Sequence, residues 1–127
     1  MTAQILLVDD DPAHRIFAVR GINLFSNSVQ IHQCSSATEA IKHIKENIVY
    51  DLIVVDLKLD HENGLDVVKF VRQTNVYTPI VVISTSDLPV HISESYQLGA
   101  NCFISKGTDP IAFSQNLFKC VKFYLRG

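Results

Sequence analysis

Short apolar runs alternate along the chain with longer segments whose apolar positions recur at helical spacing. Residues 3–8, 29–33, 52–56, 80–84 and 101–104 read as strands. Their richness in Val and Ile suits strands buried on both faces. Between the second and third, Ala37, Ala40, Ile41, Ile44 and Ile48 fall on one side of a helix. Ser36 and Glu39 have the spacing of a capping box at its start. Asp11-Pro12 and Asp109-Pro110 each place an N-cap acid before a proline at the first helical position. Gly99 stands where a left-handed C-cap would close the fourth helix. Five βα units predict a doubly wound α/β domain, a five-stranded parallel sheet with helices on both faces. In the strand order 2-1-3-4-5, strands 1 and 3 adjoin at the switch point, whose carboxyl edge is the place for a ligand.

The polar residues that end these strands suggest chemistry. Asp9 and Asp10 end Ile5-Leu6-Leu7-Val8, Asp56 ends Leu52-Ile53-Val54-Val55, and Ser105 and Lys106 follow Cys102-Phe103-Ile104. A parallel sheet gathers these ends on one edge. Carboxylates about 4 Å apart repel by roughly 4 kcal/mol at an effective dielectric near 20. A divalent cation and a neighbouring ammonium would relieve that repulsion, so the pattern reads as a metal site with a lysine beside it, suited to phosphoryl chemistry. Asp11 is a third acid, but its place before Pro12 assigns it to helix capping.

Composition narrows the class. The 127 residues suit one domain, 47% hydrophobic and 19% charged, as in soluble globular proteins. A net charge of −2 gives no footprint for nucleic acid or an anionic membrane. No apolar stretch nears the ~20 residues that span a bilayer, and residues 1–20 lack a basic region followed by an apolar segment, so no secretory signal is expected. Cys34, Cys102 and Cys120 lack C-x-x-C spacing, which argues for reduced, buried cysteines in a cytoplasmic protein rather than a disulfide framework or zinc site.

Four segments, Val8-Asp9-Asp10-Asp11-Pro12, Val55-Asp56-Leu57-Lys58-Leu59 with Gly64-Leu65, Val82-Ile83-Ser84-Thr85 and Phe103-Ile104-Ser105-Lys106, together resemble response-regulator receiver domains. The resemblance keeps the family's order and spacing over essentially the whole of residues 1–127, and implies a flavodoxin-like (βα)5 fold. It also implies that Asp56 is the phosphoacceptor, forming an acyl phosphate. Asp10 would ligate Mg²⁺ directly, Asp9 would hold a metal-bound water, and Asp56 and the Lys58 backbone carbonyl would complete the protein ligands. Lys106 would pair with a phosphoryl oxygen, the Ser84 hydroxyl would donate to it, and the Phe103 ring would follow that hydroxyl as a switch. The implied partners are a histidine kinase or phosphotransfer protein and a downstream protein target or second copy. The latter would bind through the fourth helix, fifth strand and fifth helix, with no nucleic-acid or membrane contact. Such a module is a phosphoacceptor rather than a turnover enzyme.

Some positions depart from the family's commonest pattern. Gly107 follows Lys106 where proline is frequent, which disfavours a cis peptide. Asp60 also replaces a frequent proline, either adding charge near the site or capping the approach to the third helix. Lys58, two residues past Asp56, either overhangs the phosphoryl group or is solvated. Two other functions compete. Asp9-x-Asp11 resembles the start of haloacid-dehalogenase-type phosphatases, with Asp9 as nucleophile, though Ala13 and a missing later acidic pair depart from that pattern. A receiver-like scaffold that binds without phosphorylation is the other. In the last helix Phe113, Leu117, Cys120 and Tyr124 form a stripe facing the sheet, and Ile111, Phe118 and Leu125 a second, partly exposed one.

Overall fold

A computed structural model of the chain describes residues 2–46, 49–74 and 77–125. Ile48 of the expected apolar helix face lies outside them. Strands β1 (Gln4–Val8), β2 (Gln30–Cys34), β3 (Leu52–Asp56), β4 (Ile80–Ser84) and β5 (Cys102–Ser105) alternate with helices α1 (Pro12–Phe25), α2 (Ala37–Lys45), α3 (Leu65–Thr74), α4 (Pro89–Gln97) and α5 (Pro110–Leu125). The five strands form one parallel sheet in the order 2-1-3-4-5. The expected doubly wound architecture is present.

Boundaries moved by one residue where ladder bonds continue or stop. The Asp9 N–H donates to the Cys34 carbonyl, which carries β2 to Cys34 rather than ending it at Gln33. Asn101 precedes β5 instead of opening it, because its side chain bridges the Ile80 N–H and the Arg72 guanidinium. A short antiparallel ribbon, Lys58–Leu59 with Glu62–Asn63, leads from β3 into α3 and was not expected.

Alternate residues of the central strands feed two cores. Ile5, Leu7, Val54 and Ile83 pack with Ile22 of α1 and Phe113, Leu117 and Val121 of α5. Leu6, Val8, Val55 and Val82 pack on the other face with Ala40 of α2 and Val68 and Val71 of α3. Helices α1 and α5 touch closely, since a Cβ at Gly21 would sit 2.5 Å from the Ser114 carbonyl oxygen. The Ser114 hydroxyl donates to the Phe17 carbonyl at 2.7 Å across the same contact.

The caps follow the sequence with one change. Asp11 accepts from the N–H groups of Ala13 and His14, and Asp109 from those of Ile111 and Ala112. Gly99 has φ +115°, as a left-handed cap requires. The Ser36 hydroxyl accepts from the Glu39 N–H, but the Glu39 carboxylate reaches Ser35 rather than closing the box on Ser36. Glu62 of the ribbon takes over there, accepting from the Ala37 and Thr38 N–H groups and the Thr38 hydroxyl.

On α5 the inner stripe is buried at Phe113 and Leu117 and half-buried at Cys120 and Tyr124. In the second stripe Ile111 is exposed, while Phe118 and Leu125 are half-buried. The most exposed aromatic residue of the helix is Phe123, 70% accessible, which lies on neither stripe.

Candidate functional site

Asp9 and Asp56 end adjacent strands, and Lys106 follows the last strand of the same sheet half. The Lys106 N–H donates to the Ser84 carbonyl at 2.7 Å, which ties the start of its loop to the end of β4. From there its buried side chain runs back under the edge, with Nζ 2.7 Å from Asp9 Oδ2 and 2.9 Å from Asp56 Oδ2. One ammonium thus bridges two buried carboxylates that would otherwise face each other unscreened.

The two acids are held differently. Asp9 is fully buried, with its second oxygen accepting from the Asp11 N–H at 3.0 Å. Its own carbonyl receives the Arg15 guanidinium at 2.6 Å. Asp56 is 6% exposed, and its second oxygen accepts a longer bond of 3.3 Å from the Lys58 N–H. Burial pushes its carboxyl up to about 6, with the Asp9 charge adding to that, even though Lys106 opposes both. Asp10 is half-buried and accepts from the Asp60 N–H at 2.9 Å.

Oxygens of Asp9, Asp10 and Asp56 all lie within 4.8 Å of one another. An all-carboxylate set of hard oxygen donors fits Mg²⁺ or Mn²⁺, which keep several waters and need few protein ligands. The ribbon presses against the same place. A Cβ at Gly64 would lie 1.8 Å from the Asp56 carbonyl oxygen, so only glycine lets the chain turn there into α3.

Ser84 is 1% exposed, and its hydroxyl accepts from the Ser86 N–H at 3.0 Å. Phe103 is half-buried against the core on the α2 and α3 side, with its N–H donating to the Tyr96 hydroxyl. The Lys58 side chain is exposed. Asp60 does not cap α3. Its side chain is 76% exposed beside His61, and Asn63 accepts from the Leu65 N–H at the helix start instead. No cis peptide occurs among the described residues.

Sequence reasoning missed His14, whose Nδ1 is 2.8 Å from Lys106 Nζ, and Arg15. Both sit on the first turn of α1, and the Asp11 cap that fixes that turn was the available signal.

The response regulator receiver domain family matches residues 5–118, nearly the whole of this architecture including Asp9, Asp56 and Lys106. The chain belongs to that family. This receiver domain is 25% identical over 104 residues to the two-component response regulator ORR41 of Oryza sativa, covering 81% of the chain and 82% of that protein. It is 31% identical over 107 residues to the sensory/regulatory protein RpfC of Xanthomonas campestris, covering 81% of the chain but only 14% of RpfC. Among solved structures, the phosphorylated cyanobacterial phytochrome response regulator RcpA superposes with a TM-score of 0.90 at 25% identity, over 99% of this chain and 96% of that one. The Mn²⁺-bound response regulator Rcp1 shares the fold, with a TM-score of 0.85 at 23% identity, over 98% and 95% of the two chains. Receiver domains are phosphoacceptor signalling modules of two-component systems. Among the described residues, no helix of this one is long and apolar enough to cross a membrane.

Proposed function

We propose that residues 1–127 act as one receiver unit in which Asp56 accepts a phosphoryl group from a histidine kinase or phosphotransfer protein. The observation that carries this reading is Lys106 Nζ bridging Asp9 and Asp56 at the switch point of the sheet. Asp9, Asp10 and Asp56, with the Lys58 carbonyl, would hold Mg²⁺, which neutralises charge building on the transferred oxygens. An Asp56 oxygen attacks phosphorus as the donor's P–N or P–O bond breaks. Lys106 then exchanges its bond to Asp56 for one to a phosphoryl oxygen. The Ser84 hydroxyl leaves the Ser86 N–H to donate to another, and Phe103 follows it. The output is a changed surface on α4, β5 and α5 for a protein target or a second copy.

The phosphatase reading, with Asp9 as nucleophile, meets a geometric obstacle. Asp9 has no exposed surface, whereas Asp56 keeps 6% of its own.

Intact-mass spectrometry after exposure to acetyl phosphate and Mg²⁺ tests the assignment. One added phosphoryl group should appear, be absent from Asp56→Asn, and be suppressed in Asp10→Ala. Undiminished labelling of Asp56→Asn would overturn it.

A further inference from the structure

Cys102 opens β5 and Cys120 sits on α5, and their sulfurs lie 3.2 Å apart. No sequence spacing announced this pair, because the residues are 18 apart and belong to different elements. Neither is buried as the sequence suggested. Both thiols are half-buried, whereas Cys34 is 2% exposed in the opposite core. We propose that Cys102 and Cys120 form an oxidisable dithiol, a second modification site whose co-substrate is a hydroperoxide.

The sulfurs need to approach by only about 1 Å to reach disulfide bonding distance. They also differ in reactivity. The hydrogen bond from Cys120 draws the Cys102 thiol down to about 7, and the same contact together with burial pushes Cys120 up. Either sulfur of the 3.2 Å contact can donate, and with Cys102 lowered and Cys120 raised we take Cys102 as the attacking thiolate and Cys120 as the resolving thiol. Burial drives Cys34 up to about 12, leaving it inert.

The chemistry balances in two steps. The Cys102 thiolate attacks a peroxide oxygen. An S–O bond forms, the O–O bond breaks, and the leaving hydroxide or alkoxide is protonated by water. Cys120 then gives up its proton and attacks the Cys102 sulfur, forming S–S as the sulfenic S–O bond breaks and hydroxide leaves as water. Two thiols lose two electrons and two protons in all, and the hydroperoxide is reduced to water or an alcohol.

The crosslink would staple β5 to α5 at the amino edge of the sheet. Lys106 lies beyond the other end of the same strand, about 13 Å away at ~3.3 Å per residue. The dithiol is thus separate from the acid site.

The test uses the reduced full chain, treated with a small excess of hydrogen peroxide, blocked with iodoacetamide and mapped by mass spectrometry and a non-reducing gel. The expected product is a monomer in which Cys102 and Cys120 are joined with loss of two hydrogen atoms, Cys34 takes the one carbamidomethyl group when the blocking is done in denaturant, and dithiothreitol reverses the crosslink. Cys34→Ser should crosslink as the parent does. Cys120→Ser should stop at a sulfenic acid on Cys102 that dimedone traps, and Cys102→Ser should react about tenfold more slowly. Free Cys102 and Cys120 after oxidation of Cys34, or dimers linked between chains, would overturn the proposal.

Discussion

Lys106 Nζ is 2.8 Å from His14 Nδ1, so the lysine has three acceptors, two carboxylates and an imidazole nitrogen. That bond needs a ring whose Nδ1 lone pair is free, which leaves the proton on Nε2, 3.5 Å from Asp11 Oδ2. The helix-capping acid is thereby linked through one imidazole to the site lysine. In His14→Leu the two carboxylates still hold Lys106. We expect a loss of about 1 kcal/mol in urea unfolding and a change of no more than about fivefold in labelling by acetyl phosphate. Lys106→Met should reduce labelling far more. A His14→Leu variant as impaired as Lys106→Met would give the imidazole a direct role in transfer.

Asp56 makes stability depend on pH. Its carboxyl is raised from 3.8 to about 6 in the fold, so between those values the native state keeps a proton that the unfolded chain has lost. Stability from this group is therefore present below pH ~4, falls through the window, and is absent above pH ~6. With chelator present, Asp56→Asn should be more stable than the parent at pH 7.5 by about 1–3 kcal/mol and no different at low pH. Added Mg²⁺ should narrow the gap by stabilising the parent more than the variant, which lacks one of the carboxylate ligands. Equal urea midpoints at pH 7.5 would contradict this account.

Two glycines fail differently when given a methyl group. Gly64→Ala drives Cβ into the Asp56 backbone, where no side chain can yield. It should cost about 2–3 kcal/mol or more and slow phosphorylation as the acid is displaced. Gly107 has φ +60° and open space around it, so Gly107→Ala should cost only about 1 kcal/mol of backbone strain. Chemical denaturation of both variants checks the ranking.

Exposure on α5 decides how a partner surface can be probed. Phe123 is 70% accessible, and Phe123→Glu should leave stability within about 0.5 kcal/mol. Phe118 is half-buried, and a charge there should cost about 1–2 kcal/mol. If α5 carries the output surface, Phe123→Glu weakens self-association or target binding, measured by sedimentation or titration, with labelling of Asp56 unchanged. A destabilised Phe123→Glu would mean that the ring packs more tightly than its exposure indicates.

The framework was legible because β1, β3 and β4 are dense aliphatic runs closed by a polar residue, whereas β2, Gln30-Ile31-His32-Gln33-Cys34 at the sheet edge, carries little of that signal. Caps such as Asp11 and Asp109 announce themselves through the proline that follows. Asp9, Asp56 and Lys106 could be assigned to one site once parallel strands aligned their ends. Contacts made by residues with no local pattern were hidden. Glu62 caps a helix 25 residues earlier, and Arg72 binds the Gly99 and Thr78 carbonyls. The Cys102–Cys120 approach depends on how α5 is rotated over β5, which periodicity leaves open by tens of degrees.

Lys106 and Asp9 are 97 residues apart, and Lys106 and Asp56 are 50 apart. During synthesis, β1 and β3 with their acids emerge well before the lysine that joins them. Until the final βα unit docks, Asp9 and Asp56 have no ammonium between them, and closing that contact late carries the entropy of a long loop. If Lys106 is needed for transfer, competence to accept phosphate comes only with the finished fold, and a chain truncated before the last βα unit should not label.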